Sequence, residues 1–128
     1  MRFLVDTPVL LWAVQAPEKL SDQAGRIIRN QHDQLFISVA TPWELAIKAK
    51  AGRLDVAELL NDFEHAVAAA GYLFLDTRVT HVILACSLPL HHKDPFDRLL
   101  IAQALDLRIP VISRDERFDA YGVKRVWD

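Results

Sequence analysis

Short apolar runs alternate with amphipathic stretches along the chain. Runs that fit β-strands occur at 2–5, 35–39, 72–75, 110–113 and, as a weaker fifth, 123–127. Between them, apolar residues recur at the three- and four-residue spacing of helices. Strands that alternate with helices are typical of a mostly parallel sheet with helices on both faces. The pattern therefore predicts an α/β fold with a central sheet of four to five strands.

Capping signals mark where several of these helices begin and end. Thr7, directly before a proline, predicts the start of the first helix, and Ser21 predicts that of the second. Thr41 and Glu44 have the spacing of a capping box, which predicts the start of a third helix. Gly52 follows this third helix and predicts its end.

Three later helices are predicted from apolar spacing. The clearest is one continuous helix over 56–70, whose apolar residues form a single stripe. In the next, the same spacing predicts that Cys86 is buried and belongs to the core together with Val79, Val82 and Ile83. The last begins with Asp94 as its cap, and its inward face is formed by Phe96, Leu99, Leu100, Ala104 and Leu107.

Length and composition restrict the class of protein. The 128 residues fit one domain over 1–128, with a net charge of −2 from 15 Lys+Arg and 17 Asp+Glu. The single cysteine excludes an intrachain disulfide and a cysteine-based zinc site. No apolar run is long enough to span a membrane and the N-terminus has no signal-peptide pattern, so a cytoplasmic protein is expected. Any contact with nucleic acid must rest on a local site, because the chain is not strongly basic.

Acidic residues occur where the predicted strands end or the following helices begin. Asp6 ends the first strand, Glu44 and Asp97 lie in first turns of helices, and Asp115 follows the fourth strand. Each alone is explained by helix capping or turn formation. Together they would meet at the carboxyl edge of a parallel sheet, where their mutual repulsion requires a cation. Oxygen ligands of this kind favour Mg²⁺ or Mn²⁺.

Four stretches resemble the motifs of PIN-domain proteins, and more narrowly those of VapC-type toxins of bacterial toxin–antitoxin pairs. They follow one another in the family's order and are Phe3–Thr7, Trp43–Lys48, Asp94–Ala104 and Ser113–Asp115. The Asp94–Ala104 stretch is the most specific. The resemblance implies a three-layer α/β/α sandwich and an endoribonuclease that depends on Mg²⁺ or Mn²⁺. Its catalytic and metal-binding residues would be Asp6, Glu44, Asp97 and Asp115.

The resemblance also implies supporting roles. Thr7 and Ser113 match small hydroxyl positions beside the metal, where they would orient waters or carboxylates. Pro8 departs from the family, which often has histidine there, so a substrate contact by that histidine is missing. Arg98 and Arg114 each flank a carboxylate of this set, and either would contact RNA phosphate or simply balance the neighbouring charge.

Other residues have plainer interpretations. His91 and His92 are expected to be solvated loop residues, and the three tryptophans are expected to pack in the core. The helix over 8–14 is apolar nearly all round, which predicts that it is covered by the fold or by another subunit.

The partners implied by the resemblance are an RNA substrate, a VapB-type antitoxin and a second copy of the chain in a homodimer, within a larger toxin–antitoxin assembly. Two alternatives remain open. A receiver-type signalling domain has a similar size and an acidic Mg²⁺ pocket, but it needs paired acids after the first strand and a lysine after the last. A PIN-like module without catalysis is expected to have lost one of the four carboxylates.

Overall fold

A single sheet of five parallel strands crosses the computed structural model, which describes residues 1–128. The strands are β1 (Arg2–Val5), β2 (Gln34–Ser38), β3 (Leu73–Leu75), β4 (Val111–Ile112) and β5 (Arg125–Val126). Their order in the sheet is β3-β2-β1-β4-β5, and every neighbouring pair is parallel. The predicted α/β class and parallel sheet are confirmed.

Helices connect the strands. They are α1 (Thr7–Gln15), α2 (Asp22–Arg29), α3 (Ala40–Lys50), α4 (Ala57–Asn61), α5 (Phe63–Ala69), α6 (Val79–Ser87) and α7 (Pro95–Leu107). Two short 3₁₀ helices, Pro17–Lys19 and Glu116–Tyr121, complete the connections. None of the helices has the length and apolar character required to cross a bilayer.

Two apolar cores lie on opposite faces of the sheet. Alternate residues of a strand face opposite ways, so Phe3 and Val5 belong to one core and Leu4 to the other. The first core includes residues of α1, α3 and α5, and the second is built mainly by α7. Helices therefore cover both faces, which gives the three layers expected from the resemblance.

The sheet order places a crevice beyond the carboxyl ends of β1 and β4. The chain leaves β1 toward β2 on one side, whereas β4 and β5 extend the sheet on the other side. At such a point the connections that leave two neighbouring strands run to opposite sides, which opens a crevice. Ligands of open α/β sheets bind in this crevice. Asp6 directly follows β1 and Ser113 directly follows β4, so both stand at the rim of this crevice.

Two helix starts differ from the sequence prediction. The cap of α1 is Asp6, whose carboxylate accepts the N–H of Val9 at 3.0 Å, and Thr7 is already helical. The third helix starts at Ala40 with no side-chain cap, and the Thr41 hydroxyl is buried without a hydrogen-bond partner. There is consequently no capping box, and Glu44 is free for another role. The predicted cap of α2, Ser21, is confirmed by its bond from Ala24 N–H.

The long helix predicted over 56–70 is divided into α4 and α5. The break is at Asp62, whose backbone dihedrals are −142° and 45°, outside the helical region. Asn61 and Asp62 are adjacent, and both residue types compete with the helical backbone through their side chains. The apolar stripe nevertheless continues, since Val56, Phe63 and Val67 are all buried.

Helix α6 is rotated relative to the prediction. Cys86 is exposed rather than buried, and Val79, Val82 and Ile83 are also exposed. The buried face instead contains His81, whose Nε2 lies 2.9 Å from Asp106 Oδ2 on α7. Because this contact satisfies a buried histidine, α6 can pack the face that carries His81 and Ala85 against α7. The apolar stripe is thus left on the surface.

Candidate active site

Asp6 lies at the carboxyl end of β1, beside the crevice, and is almost completely buried. Its position is fixed because it directly follows β1 and is also the N-cap of α1. Burial, together with smaller contributions from the charges of Glu44 and Asp115, raises the pKa of this carboxyl from 3.8 to about 7. Hydrogen bonding by Ser113 and by the N–H of Val9 partly offsets the effect.

Asp97 faces Asp6 from the first turn of α7. Its pKa is raised to about 8, first by burial and then by the negative charges of Asp94, Glu44, Asp6 and Asp115. Asp94 itself caps α7 by accepting the N–H of Phe96 at 2.8 Å, as the sequence predicts.

Glu44 enters the same space from α3. Its carboxylate is buried and accepts a hydrogen bond from the Thr7 hydroxyl at 2.7 Å. The ammonium group of Lys48, one turn further along α3, pairs with the other oxygen. Glu44 is therefore a fixed, charge-balanced carboxylate that belongs to the crevice.

Asp115 has the opposite electrostatic environment. Although partial burial tends to raise its pKa, hydrogen bonds from Arg117 and His92 hold it at about 2. The Arg117 guanidinium donates to both carboxylate oxygens at 2.9 Å. The Ser113 hydroxyl accepts the Asp115 N–H at 3.0 Å and so fixes the turn after β4.

The four sequence-predicted acidic residues lie near enough to influence one another's charge, and the ligand atoms of Asp97, Asp115 and His92 lie within 4.8 Å of one another. Asp6 and Asp97 each experience the charges of Glu44 and Asp115. Asp97 has no basic side chain that pairs with it except the nearby His92. A set of hard oxygen donors with an unmet need for positive charge fits a divalent cation such as Mg²⁺ or Mn²⁺. The residues present thus suit the metal that the resemblance implies.

His92 belongs to this centre, although the sequence predicts a solvated loop residue. The side chain is almost completely buried, and its Nε2 lies 2.8 Å from Asp115 Oδ2 and 3.1 Å from Asp97 Oδ2. A loop histidine has no periodic spacing from which burial can be inferred. Its position two residues before the Asp-Pro-Phe-Asp stretch at the start of a helix is the only signal in the chain. His91, by contrast, is exposed as predicted.

Arg98 does not contact RNA phosphate. It is buried, and its guanidinium donates to main-chain carbonyls of the last turn of α6 and of the segment that joins α6 to α7. The closest are Leu88 at 2.6 Å, Ala85 at 2.7 Å and Pro89 at 2.9 Å. A guanidinium with its donors engaged in this way is unavailable to a ligand. The prediction is corrected: Arg98 organises the loop that carries His92.

Arg114 remains the one flanking arginine that is available to a substrate. It is exposed, forms no hydrogen bond within the chain, and lines an open depression together with Asp6, Trp12, Asp115 and Arg117.

Trp12 packs against Trp127, as predicted for a core aromatic. Trp43 does not: it is 63% exposed and contacts only the edge of Phe96 among aromatic rings. The packing prediction for Trp43 is wrong, since Trp43 lies on the exposed face of α3, whereas Thr41 and Glu44 lie on the buried one.

Comparison with known proteins identifies the family. The PIN domain family model matches residues 3–124, so the chain belongs to the PIN-domain family. Proteins of this family are generally nucleases. No curated protein sequence matches the chain.

Solved structures share the fold at low sequence identity. A chain of VapBC2 from Rickettsia felis, bound to a DNA fragment from its promoter, has a TM-score of 0.71 at 13% identity, with 100% of both chains covered. VapBC-1 from nontypeable Haemophilus influenzae gives 0.65 at 16% identity, covering 98% of this chain and 97% of that one. FitAcB from Neisseria gonorrhoeae gives 0.64 at 15% identity, covering 96% and 95%.

Proposed function

We propose that this PIN-domain protein is a metal-dependent endoribonuclease and the VapC-type toxin of a type II toxin–antitoxin pair. The observation that carries the proposal is the meeting of Asp6, Glu44, Asp97 and Asp115 in one crevice at the carboxyl edge of the sheet. A purely structural cluster would not keep two buried acids whose pKa values are raised to about 7 and 8, because that arrangement costs stability at neutral pH.

Asp6 and Asp97 are the proposed direct ligands of Mg²⁺ or Mn²⁺. Asp6 is buried and Asp97 is partly buried, and a bound cation would replace the protons that their raised pKa values retain. Glu44 and Asp115 would complete the site, either directly or through water. When bound, such an ion supplies an activated water and neutralises charge on the phosphate.

The remaining residues hold these carboxylates in place. Thr7 and Lys48 fix the two oxygens of Glu44, and Ser113 fixes the backbone of Asp115. Arg114 points into the adjoining depression, where its planar guanidinium suits an RNA phosphate. Because the other residues hold the carboxylates in place, Arg114 is the proposed substrate contact.

The proposed partners follow from the similar structures and from the surface. VapBC and FitAB structures are toxin–antitoxin complexes, which supports a VapB-type antitoxin as the partner of this chain in the cytoplasm. The exposed stripe of α6, formed by Val79, Val82 and Ile83, supports association with a second copy, because contiguous apolar surface favours an interface.

Cleavage of RNA by the purified protein tests the proposal. We expect total bacterial RNA to be cut with Mn²⁺ or Mg²⁺, and left intact with EDTA. Asp97→Asn should reduce cleavage at least 100-fold, in line with a lost ligand, whereas the exposed control Asp55→Asn should cut like the wild type. Equal cleavage by wild type and Asp97→Asn would reject the catalytic role and favour a binding module without catalysis.

The chemistry of the product ends tests the role of water. Attack by water leaves a 5′-phosphate and a 3′-hydroxyl, and does not involve the RNA 2′-hydroxyl. A 2′,3′-cyclic phosphate at the cleaved ends would contradict this mechanism, even if cleavage required the metal.

A further inference from the structure

We propose that His92 is a positioning residue: its Nε2 hydrogen-bonds to Asp115 and contacts Asp97, and so holds the two side chains together at the metal site. The proposal rests on the proposed function, since it concerns the same centre. It goes beyond that function by assigning a role and a protonation pattern to a side chain outside the four carboxylates.

The position of the ring proton follows from the main chain. Nδ1 of His92 accepts the N–H of Asp94 at 3.2 Å, so its lone pair is occupied. In a neutral imidazole with an acceptor at Nδ1, the proton is on Nε2. This N–H faces Asp115 Oδ2 at 2.8 Å and Asp97 Oδ2 at 3.1 Å.

This tautomer distinguishes positioning from ligation. One nitrogen accepts a backbone bond and the other carries a proton, so neither has a lone pair left for a metal ion. His92 therefore acts through the two acidic side chains: its Nε2 hydrogen-bonds to Asp115 at 2.8 Å and keeps Asp97 within 3.1 Å of the same nitrogen.

The loop holds the ring in this orientation. The Tyr121 hydroxyl accepts the N–H of His92 at 2.7 Å and donates to the carbonyl of Pro89 at 2.6 Å. Arg98 donates to the carbonyls of Pro89 and His92 at 2.9 and 3.3 Å. The edge of the imidazole also packs against the Phe118 ring. The buried arginine and the tyrosine thus have one common effect, which is to aim His92 at the carboxylates.

Asp97 and Asp115 lie on separate elements of the fold, which explains why such a donor is needed. Asp97 belongs to the helix and Asp115 to the turn, and Asp115 is otherwise drawn outward by the exposed Arg117. Without His92, nothing in the structure links the two carboxylates. Partners that orient metal ligands in this way typically change metal affinity or activity 10- to 100-fold when removed.

Mn²⁺ binding measured by electron paramagnetic resonance tests the proposal without RNA. We expect His92→Ala to weaken Mn²⁺ binding by about 10- to 100-fold. His92→Gln, whose amide supplies a donor at nearly the same place, should recover most of this loss. The exposed neighbour provides the matched control, and His91→Gln should bind like the wild type. Unchanged binding by a folded His92→Ala would overturn the proposal.

The tautomer is measured on the wild-type chain, so it does not depend on whether a variant folds. Long-range ¹H–¹⁵N correlation spectra should show the proton of His92 on Nε2, both without metal and with Mg²⁺. A proton on Nδ1, or loss of the Nε2 proton on Mg²⁺ binding, would overturn positioning and make His92 a ligand.

The two proposals fail separately. If Mn²⁺ binds and depends on His92 but no RNA is cut, the ribonuclease function fails and the positioning role stands. If RNA is cut while His92→Ala binds Mn²⁺ normally, the positioning role fails alone. A wild-type chain that binds no Mn²⁺ would overturn both.

Discussion

Asp97 and Asp115 present their Oδ2 atoms to the same nitrogen of His92, yet their pKa values are displaced in opposite directions. Asp97, buried among other acids, is raised to about 8, whereas Asp115, bonded by Arg117 and His92, is held at about 2. The centre therefore contains one carboxylate that is ionised at any physiological pH and one that retains its proton. A cation that binds here would be attracted by the negative charge of Asp115 and would displace the proton of Asp97.

Metal binding should release protons. At pH 7, Asp6 with a pKa of about 7 and Asp97 with a pKa of about 8 together retain roughly one to two protons, which a divalent ion must displace. We expect Mg²⁺ and Mn²⁺ affinity to rise between pH 6 and pH 9. Calorimetry in two buffers of different ionisation enthalpy measures the released protons directly. A binding enthalpy that does not depend on the buffer would contradict the prediction.

Without metal, the protein should become less stable as pH rises. Asp6 and Asp97 have raised pKa values in the folded state, so the native protein binds more protons than the unfolded chain between about pH 4 and pH 8. Their contribution is fully present below the unfolded value and is lost as pH rises through 7 and 8. The lowered pKa of Asp115 acts in the opposite sense, but only between about pH 2 and 4.

Thermal melts from pH 5.5 to 8.5 in EDTA check this sign. We expect Tm to fall with pH, each 1 kcal/mol of lost stability lowering it by about 4 °C. Asp97→Asn, which mimics the protonated acid, should flatten the profile, and the exposed Asp55→Asn should keep the wild-type slope. A wild-type Tm that rises over this range, or a slope unchanged in Asp97→Asn, would show that Asp97 is already ionised.

The hydrogen bond from Thr7 to Glu44 gives a third prediction. Thr7→Val preserves the shape of the side chain but leaves a buried carboxylate oxygen without its donor at 2.7 Å. We expect a loss of about 1–3 kcal/mol in the free energy of unfolding, measured by urea denaturation. Thr7→Ser keeps the hydroxyl and should lose less. If Thr7→Ser were as destabilised as Thr7→Val, packing of the methyl group rather than the hydrogen bond would explain the loss.

The end of α7 offers a stabilising change far from the crevice. Arg108 has a left-handed backbone, with φ of 56°, at the position where helices usually have glycine. Arg108→Gly should raise the free energy of unfolding by about 0.5–1 kcal/mol by removing the steric cost of the side chain. RNA cleavage should not change. A destabilised Arg108→Gly would show that the arginine side chain contributes more than the backbone strain costs.

The sequence predicts much of this fold because its signals are local. Apolar runs and helical spacing identify the five strands, and the acids that follow them mark the carboxyl edge of the sheet. Asp6, Asp97 and Asp115 are found in this way because a strand end or a first helical turn fixes where each side chain points. Glu44 was predicted in a first turn, but α3 starts at Ala40, so Glu44 lies in its second turn. Their assignment as metal ligands stays a prediction.

Features that depend on distant partners were missed. The helical spacing predicts that Cys86 belongs to the core. That prediction is wrong because spacing alone does not show that His81 is the buried residue of α6, in contact with Asp106. The burial of His92 and Arg98 is not predicted for the same reason. It follows from hydrogen bonds within the loop between α6 and α7, and such bonds leave no periodic pattern in the sequence. Sequence patterns indicate which face of a helix is apolar, whereas tertiary contacts decide which face is covered.

Anomalous diffraction from crystals soaked in Mn²⁺ tests the central claim most directly. The account predicts a peak in the crevice, bounded by carboxylate oxygens of Asp6 and Asp97, that disappears in Asp97→Asn and persists in Asp55→Asn. The absence of a peak there in the wild type at saturating Mn²⁺, or a Mn²⁺ ion bound only elsewhere on the surface, would contradict it.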